Sequence, residues 1–179
     1  MKIRDATASD IEAIIGIGHR TWPSAYGFAG EAYVRNGLAT WWSTAAIERS
    51  LRDTTVLVAE EGPELVGVGN IDLRGDVPII WKLYVLPDAQ GTGAGTALMA
   101  ALLGRAPGRP VRLEYVDGND RAARFYERRG FTELRREPGE RDGWPETVWM
   151  EHRPQPRTDV TTGEEQTSRR VRIGAPRGR

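Results

Sequence analysis

The chain contains no cysteine and only two histidines, His19 and His152. Without cysteine a protein cannot form a disulfide framework, a cysteine-ligated zinc site or a catalytic thiol, and two imidazoles cannot build a histidine-rich metal centre. We therefore expect no metal site. The sequence also lacks an apolar run approaching the ~20 residues that cross a bilayer, and its first residues do not have the pattern of a signal peptide. These features favour a cytoplasmic protein that does not act at a membrane.

Neither sign of charge prevails, because 25 Lys and Arg residues balance 25 Asp and Glu residues. A neutral chain has no general attraction to nucleic acid or to an anionic membrane. The balance is uneven: residues 153–179 hold seven arginines against three acids, a net charge of +4, which leaves residues 1–152 at −4. Since residues 153–179 also contain three prolines and few apolar residues, they are predicted to be a disordered basic tail. Residues 1–152 are predicted to form one domain.

A buried strand, a glycine-rich turn and a helix follow one another in residues 79–104. The apolar run 79–86 is too short and too rich in β-forming residues for a helix, and Pro87 ends it. The turn and the start of the helix comprise Gln90, Gly91, Thr92, Gly93, Ala94, Gly95 and Thr96. Glycines at alternate positions let the backbone approach a ligand closely, and the helix directs free amides and its positive dipole end towards that ligand. The pattern predicts an anion site, most naturally one for phosphates.

Two named phosphate motifs fit this turn less well, and a plain strand-to-helix connection is a further alternative. A P-loop requires a Lys-Ser/Thr pair, which is absent here. The dinucleotide fingerprint requires a third glycine where the chain has Thr96, although Glu114 lies about where its ribose-binding acid would be expected, roughly 20 residues on.

The other elements are predicted from periodicity and turn residues. A first strand at residues 2–4 precedes a helix that Ser9 and Glu12 would open as a capping box. Pro23 is predicted to stop that helix. Residues 31–51 are expected to be helical with an interruption near Gly37. Strands are predicted at 54–60, 64–73, 111–116, 131–136 and 147–151, and Asn119 is predicted to cap a helix of about ten residues.

Two motifs together resemble a known family. The first is Gln90-x-x-Gly93-x-Gly95 after the apolar strand, and the second is the segment 119–131, in which an asparagine is followed by alanines, Phe125-Tyr126 and a closing Gly-Phe pair. Their sequence, order and spacing are similar to the two signatures of the GCN5-related N-acetyltransferases. The resemblance covers residues 1 to about 152.

The resemblance implies a fold and a reaction. The fold is a mixed α/β (α+β) architecture with a mostly antiparallel sheet of six to seven strands, helices on both faces, and a splay between the fourth and fifth strands. The reaction is acetyl transfer from acetyl-CoA to a primary amine. The implied partners are a small-molecule or peptide amine, with a homodimer left open, and neither nucleic acid nor a membrane.

The resemblance also implies roles for individual residues. Backbone amides of residues 90–96 would hold the phosphates, and Asn119 would lie at the same site. Leu83 and Val85 would present strand amides to the pantetheine arm, with Val85 N–H bonding the thioester carbonyl. Tyr126 would give its proton to the departing thiolate. Relatives often carry a glutamate early in the fourth strand as the base, and this chain does not, so the role stays open among Glu60, Asp72, Glu114 and a water relay.

The acceptor is least constrained by sequence. The aromatic segment from Trp22 to Trp42 and acids such as Glu31 would suit a small cationic amine through cation–π contact and charge attraction, and an amino acid or a peptide amine is the alternative acceptor. The missing strand glutamate supports a second hypothesis, a non-catalytic CoA-binding module. A dinucleotide-dependent oxidoreductase is a more distant alternative that would leave the segment 119–131 unexplained.

Overall fold

A computed structural model describes residues 1–154, and residues 155–179, nearly all of the predicted basic tail, lie outside the described residues. Seven strands form one sheet in the order β1-β2-β3-β4-β5-β7-β6. The strands are β1 (Lys2–Asp5), β2 (Thr55–Glu61), β3 (Glu64–Asp72), β4 (Ile79–Val85), β5 (Val111–Val116), β6 (Phe131–Glu137) and β7 (Thr147–His152). All neighbours are antiparallel except β4 and β5. The predicted mixed, mostly antiparallel fold is confirmed.

The sheet is splayed between β4 and β5. These strands pair only at Ile79 with Arg112 and Ile80 with Leu113, so the two strands separate beyond Ile80. On the other side, β4 stays paired with β3 up to Val85, with a register shift that leaves Trp81 without a partner residue. Such a bulge increases the local twist of a strand, which helps β4 to diverge from β5.

Helices cover both faces of the sheet. They are α1 (Ile11–Tyr26), α2 (Glu31–Trp41), α3 (Thr44–Asp53), α4 (Ala94–Gly104) and α5 (Asp120–Glu127). On one face, a side chain at Gly67 or Gly69 of β3 would collide with Leu98 or Leu102 of α4, so small residues let that helix lie close to the sheet. Side chains alternate between faces along a strand, so Asn70 and its cross-strand partner Lys82 face the opposite layer, formed by α1, α2 and α3.

Sequence periodicity and capping residues predicted most helices and strands correctly, but not the residues at which all of them begin and end. The two capping-box residues are Thr7 and Asp10, where Ser9 and Glu12 were expected, because a short 3-10 turn at Ala8–Asp10 precedes α1. Asp10 accepts hydrogen bonds from Thr7 N at 2.7 Å and from two nitrogens of Arg4 at 2.8 Å. The guanidinium of Arg4 makes the largest contribution to lowering the pKa of Asp10 to about 2.

The prediction that Pro23 stops the first helix was wrong, because α1 continues through it to Tyr26. A proline inside a helix removes one backbone hydrogen bond. The last turn is instead held by tertiary contacts: Trp22 and Tyr26 are both buried, and the Tyr26 hydroxyl is hydrogen bonded to that of Tyr84 in β4 at 3.0 Å.

The predicted interruption near Gly37 was also misplaced. Gly37 lies inside α2, and the break comes at residues 42–43, where Ser43 caps α3 by accepting a hydrogen bond from Ala46 N. A Cβ atom at Gly37 would lie 1.7 Å from the Trp22 ring. The glycine therefore permits close helix packing. No helix within residues 1–154 is long and apolar enough to cross a membrane.

Candidate functional site

A cleft of about 570 Å³ opens where β4 and β5 separate. Its walls come from the end of β4, the glycine-rich turn, β5 and the start of α5, with α1 and Phe28 on the remaining side. Of the residues expected at the site, the cleft is lined by Leu83, Val85, Gln90, Gly91, Gly93, Gly95, Thr96, Asn119 and Tyr126. Thr92 and Ala94 do not line it. The Thr92 hydroxyl donates to the Ala89 carbonyl at 2.7 Å and so stabilises the turn, and the Ala94 side chain is buried.

The start of α4 has free amides at the cleft. The first hydrogen bond of the helix runs from Ala97 N to Gly93 O, so the N–H groups of Ala94, Gly95 and Thr96 have no backbone acceptor among residues 1–154. Gly93 has φ +97° and Gly91 has φ +86°, values at which a side chain is strained. The two left-handed residues thus direct the helix start towards the cleft, where its amides and dipole favour an anion.

The Gln90 side chain is engaged within the protein. Its amide donates to the Val85 carbonyl at 2.9 Å, so it joins the turn to the end of β4. The Thr96 hydroxyl is a hydrogen-bond partner of Arg129, whose guanidinium lies 3.4 Å from the centre of the Phe125 ring. These contacts fix the turn against α5 and leave the backbone amides as the groups that face the cleft.

Two amides of β4 also face the cleft. The bond from Leu86 N to Val66 O at 2.8 Å makes Gly67 and Val85 a pair that exchanges no hydrogen bonds. The N–H groups of Val85 and of Leu83, two residues earlier, therefore point away from β3 and towards the gap left by β5. Since β5 pairs with β4 only up to Ile80, neither amide has a strand partner among the seven strands described. Both can donate to a ligand in the cleft.

Asn119 and Tyr126 lie at opposite ends of α5. The Asn119 side chain accepts a hydrogen bond from Ala122 N at 3.1 Å, which makes it the cap of α5 as well as a lining residue. The Tyr126 hydroxyl has no hydrogen-bond partner within the described part of the chain. Burial, with a smaller effect of Tyr26, raises the pKa of Tyr126 above its ordinary value, so its phenol stays protonated at neutral pH.

A second cavity, of about 360 Å³, adjoins the cleft through the splay. Six residues line both spaces: Tyr26, Trp81, Lys82, Tyr84, Glu114 and Tyr115. The wall farther from the cleft is aromatic, with Trp22, Tyr33, Trp41, Trp42 and Trp144. Most aromatic residues of the segment from Trp22 to Trp42 thus pack against the hydrophobic core with one side of the ring and line the cavity with the other.

Of the three acids considered for proton transfer, only Glu114 lines the junction of cleft and cavity. Glu60 accepts from Arg4 at 2.6 Å and lies outside both spaces, and Asp72 is held by Arg74 at 2.7 Å. Glu114 forms no ion pair among residues 1–154. Desolvation, followed by repulsion from Glu137 and Glu140, raises the pKa of Glu114 above its ordinary value.

Sequence reasoning missed Lys82 and Tyr84, whereas Tyr26 belongs to the aromatic segment expected near the acceptor. The hydroxyls of Tyr26 and Tyr84 are hydrogen bonded at 3.0 Å at the junction of the two spaces. Lys82 lies inside an apolar strand that was predicted to be buried. A charged residue at such a position could have marked it as a functional residue, because burying an unpaired charge is costly. His19 is exposed and lines neither space.

Comparisons with known proteins agree with this geometry. The sequence profile of the acetyltransferase (GNAT) family matches residues 16–131. An uncharacterised N-acetyltransferase of Staphylococcus saprophyticus is 38% identical over 74 residues, which are 41% of this chain and 46% of that protein. The match to this curated relative thus spans about half of its length.

Among solved structures, the PaiA N-acetyltransferase of Thermoplasma acidophilum in complex with coenzyme A has a TM-score of 0.72 and 21% identity, covering 86% of this chain and 98% of that one. A GCN5-related N-acetyltransferase from Rhodopseudomonas palustris also has a TM-score of 0.72, with 23% identity and coverage of 86% and 95%. At these identities the two structures establish the likeness of fold.

Proposed function

Because the chain belongs to the acetyltransferase (GNAT) family, whose cosubstrate is acetyl-CoA, we propose that it transfers an acetyl group from acetyl-CoA to a primary amine. The observation that carries this proposal is the combination of a helix-start anion site with two unpaired β4 amides at the same cleft. Each would serve a different part of one long ligand.

The polar groups of the cleft are matched to those of acetyl-CoA. The free amides of Ala94, Gly95 and Thr96 would bind the pyrophosphate, as a helix start binds phosphate elsewhere. Leu83 N–H and Val85 N–H would bond the pantetheine arm and the thioester carbonyl. Acetyl-CoA supplies an acyl group activated as a thioester, and the chain's own residues do the rest.

Four residues would carry the reaction. Glu114 would accept a proton from the ammonium of the acceptor, directly or through a water molecule, and so generate the neutral amine. Val85 N–H would stabilise the negative charge that develops on the carbonyl oxygen as the carbon–nitrogen bond forms and the carbon–sulfur bond breaks. Tyr126 would give its proton to the departing thiolate. Tyr84, whose hydroxyl is hydrogen bonded to that of Tyr26 at the junction of cleft and cavity, would help to position the acceptor there.

The test is incubation of the protein with acetyl-CoA and a panel of primary amines, with the release of free thiol and the acetylated amine measured together. We expect both to form in equal amounts with at least one amine. Thiol release without acetylated product would indicate hydrolysis and would contradict the proposal.

A non-catalytic CoA-binding module is the second candidate, because the start of β4 has Ile79, Ile80 and Trp81 where relatives often carry a glutamate. It predicts binding of CoA and acetyl-CoA with similar affinity by calorimetry, and no turnover of any amine in the panel. Glu114 at the junction favours the enzyme over this candidate.

A further inference from the structure

Lys82 is a buried ammonium with no acidic partner in the part of the chain that the structure describes. It is one of only two lysines in a chain that otherwise uses arginine, the other being Lys2. Only 9% of its surface is exposed, and it forms no hydrogen bond or ion pair among residues 1–154. Its nitrogen lies 5.7 Å from the centre of the Trp42 ring. A buried charge of this kind is costly unless an opposite charge joins it.

The surroundings add positive charge. Burial, followed by the nearby guanidinium of Arg49, lowers the pKa of Lys82 to about 8. Arg49 lines the same cavity and likewise has no acidic partner in the described range. Two acids of the cavity wall, Asp53 and Asp72, are both engaged by Arg74, at 3.7 and 2.7 Å. Within residues 1–154, this end of the cavity therefore keeps two cations, Lys82 and Arg49, without an acidic partner.

Two carboxylates, Glu114 and the exposed Glu140, lie elsewhere in the same cavity. Glu114 has no cationic partner in the described part of the chain, and Lys82 and Glu114 do not pair with each other although both line the cavity and the junction with the cleft. The cavity thus presents a positive site and a negative site that are separated in space. A ligand that carries both charges could satisfy both.

We propose that the acceptor is an amino acid, whose carboxylate binds Lys82 and Arg49 while its nitrogen lies at Glu114, next to the cleft. This inference rests on the proposed function, and it revises the cationic acceptor suggested by the sequence. A carboxylate would also be the counter-ion that buried Lys82 lacks. The aromatic wall, which includes Trp22, Tyr33 and Trp144, would contact the side chain of the amino acid.

Other amines fit the charges less well. The second ammonium of a polyamine would meet Lys82 and Arg49, and like charges at close range are repulsive. A neutral monoamine would leave Lys82 buried and unpaired. Selection by an unsatisfied charge of this kind is a known route to specificity.

The first test measures the pKa of Lys82 directly by NMR. The full chain is labelled with lysine that carries ¹³C at the ε position, so the spectrum should contain two signals, one from Lys2 and one from Lys82. The probes are N-acetyl-L-phenylalanine and its analogue without the carboxylate, N-acetylphenethylamine. We expect the first probe to raise the Lys82 pKa by about one unit or more, the second to leave it unchanged, and Lys2 to respond to neither. Equal responses to both probes, or no response at any concentration, would overturn the inference.

The second test compares matched acceptors in the acetylation assay: L-phenylalanine with phenethylamine, L-tryptophan with tryptamine, and L-ornithine with putrescine. In at least one pair we expect kcat/KM to favour the carboxylate member by about ten-fold or more. Lys82→Met should remove that preference by raising KM, while Lys2→Met should retain it. Equal rates within every pair, or a preference that survives Lys82→Met, would overturn the inference.

The two tests separate this inference from the proposed function. If amines are acetylated without regard to carboxylate and the Lys82 signal does not respond, the inference fails and the function stands. If no amine is acetylated but N-acetyl-L-phenylalanine raises the Lys82 pKa, the carboxylate site stands and the function fails. The NMR test uses the unmodified sequence, so it decides the question even where Lys82→Met does not fold.

Discussion

At the scale of single residues, partial desolvation raises the pKa of both groups proposed to move protons, Glu114 and the half-buried Tyr126. Tyr126 and Glu114 lose hydration, which disfavours the charged form of both. For Tyr126 this keeps the phenol protonated and able to act as an acid. For Glu114 it makes the carboxylate a stronger base than a fully solvated glutamate. The same shift thus makes Tyr126 hold its proton more tightly and increases the proton affinity of Glu114.

Replacing Tyr126 by phenylalanine keeps the ring and removes the proton. We expect kcat to fall by about 100-fold or more, with the affinity for acetyl-CoA unchanged by calorimetry. Tyr115→Phe is the matched control, because that ring lies 6.3 Å from Tyr126 and has no proposed role in the reaction. Equal rates for the two variants would make Tyr126 a packing residue.

The role of Glu114 predicts a pH dependence with a definite sign. Only the ionised carboxylate accepts a proton, so kcat/KM should rise with pH through a pKa above the ordinary range of glutamate, and Glu114→Gln should remove this acidic limb. In Glu140→Gln the limb should remain and move to lower pH, because Glu140 contributes to raising the pKa of Glu114. An acidic limb that persists in Glu114→Gln would assign the base elsewhere.

At the scale of elements, the glycine-rich turn and α4 act as one unit. The turn joins β4 to α4, Gln90 ties it to Val85, and Arg129 of the segment after α5 ties Thr96 to the same wall. The direction of the helix start, and with it the three free amides, depends on the left-handed backbone at Gly93.

Gly93→Ala and Gly104→Ala form a matched pair at the two ends of α4. A Cβ atom at either position meets no other atom within 4 Å, so the variants differ in backbone strain. Gly93→Ala should lose about 1–2 kcal/mol of stability and bind acetyl-CoA more weakly by calorimetry, whereas Gly104→Ala should do neither. Unchanged binding in Gly93→Ala would show that the phosphates lie elsewhere.

At the scale of the whole molecule, an ionic cluster joins the first strand to the rest of the sheet. Arg4 of β1 bonds both Asp10, ahead of α1, and Glu60 of β2. Because Asp10 has its pKa lowered from 3.8 to about 2, its stabilising effect is complete above pH 4 and is lost as the pH falls towards 2.

Asp10→Asn should therefore lower the free energy of unfolding by about 2 kcal/mol at pH 7. The difference from the parent chain should shrink as the pH falls from 4 towards 2. Urea unfolding at several pH values measures it, and Asp88→Asn, whose side chain is 92% exposed, is the control. A difference that does not change with pH would mean that Asp10 acts through packing alone.

Residues 155–179 are predicted to contribute little to stability or catalysis. Their composition is poor in apolar residues, and β7 already pairs with β5 and β6 up to His152. Removing them should change the melting temperature by less than roughly 2 °C and leave the acetylation of a small amine unchanged. A substantial loss in either would mean that these residues contact the domain.

The sequence by itself determined the features that depend on a few neighbouring residues. The left-handed backbone at Gly91 and Gly93 needs glycine, the cap of α5 needs the Asn119 side chain, and the bounds of β5 match the predicted 111–116. In the first two cases the interaction closes within about four residues, and the strand is marked by its own run of β-forming residues between turn residues, so the pattern of residue types is sufficient to identify each feature.

The tertiary structure alone decided the rest. Helix α1 passes Pro23 because Trp22 and Tyr26 are buried against distant parts of the chain. Lys82 and Glu114 line one cavity because β4 and β5, joined by α4, separate beyond Ile80. These outcomes depend on contacts between residues tens of positions apart. Periodicity and turn chemistry record only the local preferences of the chain, and packing between distant segments can override them.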